Sequence, residues 1–504
     1  MITSSMPRGI DRRRVHAWIR PYRDLIRLNP LWHIGTLCLG IFLTSPSAHA
    51  DSGRQAGPDA TGTHGAPHYI TDLIGANGWP GSAADYRYWK AMGLTWGRDA
   101  VGPGRATSPD DAMRIDRTDP GFGSPLPPIL LENNRHGIHS LLLLGYTPPW
   151  NAEIPGDTKS APIDEHEWTE YVEAVVKRYT APPYHIKYFQ IWNEAAGPLS
   201  GGSPQATFWH GPSDPGTAHP GAYTRAMQDY VDLIHIPAAR IIHRYHAYIV
   251  YGGWPDQGGL DTYMHWLEYE SPTEHTRMID NVDYLDIHYL GIDAIDRLYT
   301  RYVATGKVRG IWETEIGDRY MINPHYLAKF YFKLAVWALG HRWTDANQYV
   351  AMVYHWDGLE PFRLTHRGTT RSYNPSGRSL VTLKQVVDGP VSACGCTVHF
   401  DRDADGDALE AGGKLIVQLS ATPGLHHIEI DHIPAADASH LHVSYIDAVS
   451  GQPVADAQLT FSPRGQDHQD VALAFDTPAA GLDADRKPLA RHLGYLVLVS
   501  TPAS

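Results

Sequence analysis

Two stretches of this sequence set carboxylates where they could do chemistry. The apolar run ending Phe189-Gln-Ile-Trp192 is followed by Asn193 and Glu194, and the run from Val308 carries Glu313 and Glu315 just before Gly317. Other apolar stretches end in Arg98, in His288-Tyr289 and in Trp356. Two carboxylates on different strands, with an amide, an arginine and aromatic rings between them, suit cleavage of a glycosidic bond. That reaction needs one carboxyl to protonate the leaving oxygen and another to stabilise or attack the anomeric carbon. Its transition state is cationic, so fixed negative charge favours it, and sugar faces stack on Trp and Tyr rings. The chain has 15 Trp. Trp79, Trp96, Tyr146, Trp150, Trp192, Trp254, Trp312 and Trp356 fall near strand ends, although core packing is the plainer reading for most of them.

Elements must hold these groups in place. Before the Asn193-Glu194 stretch, Trp168, Tyr171, Val172, Val175, Val176 and Tyr179 recur with helical spacing, and Asp164 can cap that helix with Glu167 three residues on. In the strand that follows, Ile186, Tyr188, Gln190 and Trp192 share one face, and Phe189, Ile191 and Asn193 the other. Similar units recur along the chain. Strands are expected at Ile70–Ile74, Leu94–Arg98, Ile138–Tyr146, Tyr188–Glu194, Tyr248–Gly253, Val282–Tyr289, Val308–Gly317 and Tyr349–Trp356, with helices between them. The helix over Tyr223–Ile236 should be interrupted by Pro237, and a closing helix is expected over Ser379–Val387. Eight alternations make an α/β fold: a (β/α)8 TIM barrel over 67–391, whose chemistry belongs at the C-terminal ends of its strands. After Gly389 the texture becomes alternating polar and apolar segments separated by turns, which reads as a C-terminal β-sandwich over 396–504.

Charge and composition narrow the partners. Residues 1–50 combine an Arg-rich lead, an apolar run over Leu31–Leu43 and an Ala-His-Ala end, the pattern of a secretory signal peptide. The apolar run is shorter than the roughly 20 residues a membrane span needs. Residues 51–66 read as a disordered linker. The first 50 residues hold seven basic and two acidic side chains, which leaves 35 basic to 53 acidic, a net −18. That balance argues against nucleic acid or an anionic surface as partner. The expected chain is therefore secreted, periplasmic or extracellular, and free of the membrane once the signal is cleaved. Cys394 and Cys396 lie one residue apart; a bond would close a small ring, and two free thiols or a redox-sensitive pair are the alternatives.

Over about 70–390 the chain resembles the retaining glycoside hydrolases of clan A. More loosely it is similar to family 39, which holds β-xylosidases, α-iduronidases and bacterial exopolysaccharide hydrolases. The resemblance rests on Ile191-Trp-Asn-Glu194 and Trp312-Glu-Thr-Glu-Ile-Gly317, supported by Gly93–Arg98, Tyr146-Thr-Pro-Pro-Trp150 and Asp286-Ile-His-Tyr289 in matching order. It implies Glu194 as general acid/base and Glu315 as nucleophile. It also implies Asn193 on the sugar 2-hydroxyl, Arg98 keeping the nucleophile ionised, and His288 or Tyr289 in contact with Glu315 and substrate. Trp356 would floor the subsite beside the cleaved bond, and Trp150 would be a further substrate contact. No metal or organic cofactor is implied. For Arg98 a structural salt bridge, and for His288 a hydrogen-bonded core position, remain open.

Strand seven offers two glutamates whose spacing puts both on one face; Glu315 is preferred, with Glu313 lower in the barrel and paired with a cation. Asp401-Arg-Asp-Ala-Asp-Gly-Asp407 has a calcium-loop rhythm, but Gly412 stands where the twelfth-position glutamate should be, so an acidic β-turn is the better reading. His426, His427 and His432 read as surface residues. The expected function is a secreted retaining glycosidase hydrolysing O-glycosyl bonds of a polysaccharide or oligosaccharide by double displacement. The alternatives are an inverting or transglycosylating relative, a carbohydrate-binding protein that kept the barrel and lost turnover, and a C-terminal domain that is itself the sugar-binding part.

Overall fold

Eight parallel strands close into a ring in the computed structural model. They are β1 Ile74–Asn77, β2 Trp96–Ala100, β3 His139–Leu144, β4 Tyr188–Ile191, β5 Tyr248–Val250, β6 Tyr284–His288, β7 Gly310–Ile316 and β8 Val353–His355. Each pairs with the next, β1 pairs with β8, and Val250 opposite Tyr284 joins β5 to β6. The helices on the outside are α1 Ala83–Met92, α2 Leu126–Arg135, α3 Glu165–Thr180, α4 Ile236–Arg244, α5 Leu260–Leu267, α6 Ile292–Leu298, α7 Tyr326–Gly340 and α8 Pro375–Val386. The structure describes residues 67–500 except 105, 118–124, 196–207, 211–226, 256–258, 317–325, 342, 344–352, 358–362, 367–370, 435–440, 457, 465–467 and 482–487. The expected signal segment 1–50, the linker 51–66 and most of the 197–220 insertion lie outside the described residues. No helix among the described residues is long and apolar enough to cross a membrane.

Local chemistry explains where the elements start and where they differ from expectation. Ser82 accepts the Asp85 N–H and caps α1, and Gly93 closes it at φ 77°. Asp164 caps α3 as expected, through the His166 N–H. Ile70–Leu73, expected as strand, is a 3-10 turn: the Asp72 carboxylate accepts the Tyr69 N–H at 2.8 Å, and that local bond wins over extension. Pro237 does not end its helix. A wider turn over Tyr230–His235, in which Ile236 N–H reaches back to Val231 O, carries the chain into α4 with Pro237 in its first turn, where no N–H is needed.

The barrel interior is layered. Trp96, Tyr188, Tyr284, Trp312 and Tyr354 pack at its base, with the Trp312 ring 5.4, 5.2 and 5.0 Å from those of Trp96, Tyr188 and Tyr284. Residues two positions further along the strands carry polar groups instead, and the strand ends lie above those. Much of the Trp content is thereby core. Trp192 and Trp254 are also fully buried, packed on Trp168 and Tyr263.

Residues from 391 onward form two antiparallel sheets. The six-stranded one runs Val391–Ala393, Ala404–Ala411, Lys414–Ala421, His492–Ser500, Leu441–Asp447, Pro453–Asp456. The four-stranded one runs Thr397–Phe400, Gly424–Pro434, His468–Thr477, Gln458–Arg464. Val417, Leu419, Ile428, Ile430, Val443, Leu473, Leu496 and Leu498 fill the space between them. The other face of the six-stranded sheet, with Leu409, Ile416, Tyr495 and Val497, belongs to the barrel's own core cluster. Phe332 on α7 meets Tyr495 at 6.0 Å, and Lys329 on the same helix pairs with Asp405 at 2.8 Å. The sandwich is docked by a hydrophobic face. The outward face of the four-stranded sheet presents His399, His427, Glu429 and Thr460, with no Phe, Tyr or Trp on it among the described residues.

Cys394 and Cys396 are bonded, with Cα atoms 5.2 Å apart. The acidic run is a turn leading into a strand. Asp401 accepts from His426, the His427 N–H and the Asp403 N–H, while Asp405 pairs with Lys329 and Arg491, so these carboxylates do not converge. His426, expected on the surface, is buried because it bonds Asp401 at 2.9 Å and the Thr422 carbonyl at 2.7 Å; His427 and His432 are exposed.

A second buried network locks the sandwich. Tyr445 Oη meets His492 Nδ1 at 2.6 Å, and His492 Nε2 meets Asp447 Oδ2 at 2.7 Å; Asp447 also accepts the Ser450 N–H at 2.6 Å. Burial works to raise the Asp447 carboxyl, but the His492 and Ser450 bonds outweigh it and hold it well below the usual value. Its folded value thus lies under the unfolded one. Its contribution is complete above the ordinary Asp value of roughly 3.9 and is lost as pH falls below that. Asp447→Asn is expected to destabilise the protein by about 1–3 kcal/mol at pH 7 and to flatten the acid side of its stability profile. Denaturant melts between neutral and acid pH check both.

Candidate active site

Period-two geometry lifts one polar side chain per strand above the aromatic base. Arg98 stands two residues beyond Trp96, Gln190 beyond Tyr188, Asp286 beyond Tyr284 and Thr314 beyond Trp312. They bond into one layer. Arg98 Nε donates to Gln190 Oε1 at 2.6 Å, Gln190 Nε2 donates to Asp286 at 3.0 Å, and Thr314 Oγ1 donates to Asp286 at 2.7 Å. The Thr314 N–H adds a fourth bond, to Asp286 Oδ1 at 2.9 Å.

Two breaks in strand regularity bring the carboxylates over this layer. On β4, Trp192 takes φ 66° and Glu194 φ 43°. Strict alternation would send Trp192 inward with Gln190 and Asn193 outward, as expected from the sequence. The left-handed Trp192 instead packs outside on Trp168, and Asn193 turns inward to accept from Arg98 Nη2 at 2.5 Å. On β7 the register skips against both neighbours: Asp286 opposes Trp312 but His288 opposes Glu315, and Glu313 opposes Val353 but Ile316 opposes His355. One extra residue makes a bulge, so the adjacent Thr314 and Glu315 both face the barrel axis. Glu313 is therefore not on the Glu315 face, contrary to expectation. It is fully buried, accepts the Leu290 N–H at 3.0 Å, and has no cation in ion-pair contact among the described residues.

At the top, Arg98 Nη1 donates to Glu315 Oε1 at 2.7 Å and to Asn77 Oδ1 at 3.0 Å, and Tyr289 Oη donates to Glu315 Oε2 at 2.8 Å. His288 Nδ1 lies 2.8 Å from Glu194 Oε1, and its Nε2 lies 2.9 Å from Thr314 Oγ1. One atom each of Glu194, His288 and Glu315 falls within 4.8 Å of the others. Both carboxylates reach solvent, with side chains 11% and 13% exposed. Burial acts to lower the His288 imidazole, but the charges of Glu315 and Asp286 and the bond to Glu194 outweigh it, raising the ring to about 10. Burial acts to raise Glu315; the charges of His288 and Arg98 and the bonds from Tyr289 and Arg98 reverse that and hold it below its ordinary value. Among the described residues these three groups are the cluster whose ligand atoms lie close enough to hold a metal ion.

Of the expected site residues, Asn193, Glu194, Arg98, His288, Tyr289 and Glu315 meet in this one cluster. His288 is fully buried, with one ring nitrogen on Glu194 and the other on Thr314. Both of the pair meet Glu315: Tyr289 hydrogen-bonds it, and His288 Nδ1 lies 3.9 Å from its Oε2. Trp356 is part-buried beyond β8, with its N–H on the Ile316 carbonyl at 2.8 Å. Trp150 lines a small cleft with Pro103, Pro162 and Trp168, and no contact among the described residues joins it to the carboxylates. Asn77, Gln190, Asp286 and Thr314 were missed as site residues. Gln190 and Asp286 were legible in principle, since each lies two residues before a site position or on the inward face of its strand.

No family model and no curated protein matches this chain. Among solved structures it is similar to a glycoside hydrolase family 30 endoxylanase from Clostridium papyrosolvens C71, with TM-score 0.50 and 14% identity, over 86% of this chain and 97% of that one. A family 39 glycoside hydrolase from the gut symbiont Bacteroides cellulosilyticus WH2 gives 0.46 and 13%, over 86% and 82% of the two chains. A family 30 subfamily 8 xylanase from Clostridium acetobutylicum gives 0.46 and 12%, over 84% and 95%. At these identities what is shared is the fold, a (β/α)8 barrel.

Gly253 tests the packing of this site. It sits at φ 78°, and a Cβ there would lie 2.2 Å from His288 Nε2. Gly253→Ala is expected to cost about 2–4 kcal/mol through backbone strain and overpacking, read as a lower denaturant midpoint at unchanged slope.

Proposed function

We propose that this chain is a secreted retaining glycosidase that hydrolyses O-glycosyl bonds of a polysaccharide or oligosaccharide. The observation that carries the reading is the approach of Glu194 and Glu315 oxygens to within 4.8 Å at the open end of the barrel. Double displacement uses carboxyl groups about 5–5.5 Å apart, whereas inversion needs a wider gap for water. The charge pattern divides the labour. Glu315, held ionised by Arg98, His288 and Tyr289, attacks the anomeric carbon. Glu194 gives its proton to the glycosidic oxygen as that bond breaks. Its Oε1 is taken by His288, and among the described residues no hydrogen bond occupies Oε2, which is the oxygen free to face the leaving group. In the second step the Glu194 carboxylate takes a proton from water, which attacks the glycosyl ester and frees Glu315. In this reading Asn193, fixed by Arg98, holds a sugar hydroxyl, and Trp356 stacks on a sugar face.

Hydrolysis of an aryl glycoside panel, with products followed by proton NMR, is the direct test. Retained anomeric configuration is expected; inverted product would overturn the mechanism, and no hydrolysis of any glycoside would favour a binding protein on this barrel. Glu315→Gln is expected to lower turnover roughly 10⁴-fold or more with the fold intact, and azide is expected to restore reaction in Glu315→Gly. Normal activity in Glu315→Gln would reject the assignment. Because Glu315 is held below its ordinary value, the acid limb of kcat/KM is expected below the usual Glu value of roughly 4.3.

A further inference from the structure

Glu313 is a buried carboxyl that the proposed chemistry leaves unused. Its side chain is fully buried, one oxygen accepts the Leu290 N–H at 3.0 Å, and the other meets no hydrogen-bond partner. Burial pushes it well above the usual carboxylate range, with His288 and the N–H groups of Leu290 and Tyr289 opposing. A buried carboxyl with one good bond is a costly way to fill space, and an apolar residue would fill it better.

What that bond holds is the turn after β6. Tyr289 sits there at φ 59°, a left-handed conformation that L-residues with large side chains rarely take. Two successive N–H groups tie this turn to β7. Tyr289 N–H donates to the Glu315 carbonyl at 3.0 Å, and Leu290 N–H donates to Glu313 Oε1. With both made, the Tyr289 hydroxyl lies 2.8 Å from Glu315 Oε2. The bulge makes this possible: it sends Glu313 outward to the backbone of the turn while Glu315 faces the axis.

We propose that Glu313 is a positioning residue for the glycosidase reading above: its carboxyl clamps the Leu290 N–H and so keeps Tyr289 in the strained turn from which its hydroxyl holds Glu315. Glu313 acts through Tyr289 and touches no substrate. Around Glu313 the titratable groups are His288 and Asp286 on β6 and Tyr331 on α7. Around Glu315 they are Arg98, His288, Tyr289 and Glu194.

The test reads the ionisation of Glu315 in the resting protein, by NMR titration of side-chain-labelled glutamate with Glu315→Gln identifying the signal. It needs no turnover, so its result is separate from whether the chain hydrolyses a glycoside. Tyr289→Phe is expected to move the Glu315 midpoint upward, since a bond to its charged form is lost. Glu313→Leu is expected to move it upward by a comparable amount, and the double variant no further than either alone. Glu313→Gln keeps an acceptor for Leu290 N–H and is expected to titrate as wild type. An additive double variant, or Glu313→Leu titrating as wild type, would overturn the proposal. Should Glu313→Leu not fold, Glu313→Gln still decides: a midpoint like that of Tyr289→Phe would sink the clamp.

Discussion

A guanidinium inside a barrel must have its charge and its donors answered on every side, and the answers given to Arg98 organise this molecule. Burial works against its charge, while Glu315 and Asp286 favour it. Its donors go to Gln190, Asn77, Asn193 and Glu315, which come from β1, β4 and β7 and the segment after β4. One cation therefore ties together strands far apart in sequence. It also fixes the amide and the carboxylate that sit at the open end. Losing it would leave the part-buried Glu315 with only His288 and Tyr289 to offset the cost of desolvation.

The base of the barrel makes that polar layer affordable. The aromatic rings beneath it exclude water and close the lower end, so the hydrogen bonds above act in a low-dielectric setting where they are stronger and more demanding. Asp286 shows the demand: it is fully buried and receives three bonds from Gln190 and Thr314. The sandwich contributes from outside. Tyr495 packs against Phe332 and covers part of α7, while Lys333 on the same helix stays exposed.

The candidate site is concentrated where the regular pattern fails. Trp192, Glu194 and Tyr289 all take positive φ, and β7 carries an extra residue at the point where Glu315 emerges. Strain of this kind persists only when surroundings over-determine it. Here Trp192 is pinned by Trp168 and Trp209, and the Tyr289 turn by two N–H bonds to β7.

The sequence alone determined the strand-and-helix alternation, the change of texture after Gly389, and the pair Glu194 and Glu315 with Arg98 beside them. These follow from local periodicity and from residue types that only certain chemistry requires. It could not determine which way Asn193 or Glu313 faces. Alternation assigns faces correctly only while a strand stays regular, and a left-handed residue or an inserted one reverses every face beyond it. Whether a strand tolerates such a break depends on neighbours brought together from distant segments. Trp168 receiving Trp192, and the β6 turn receiving Glu313, are therefore decisions of the tertiary structure.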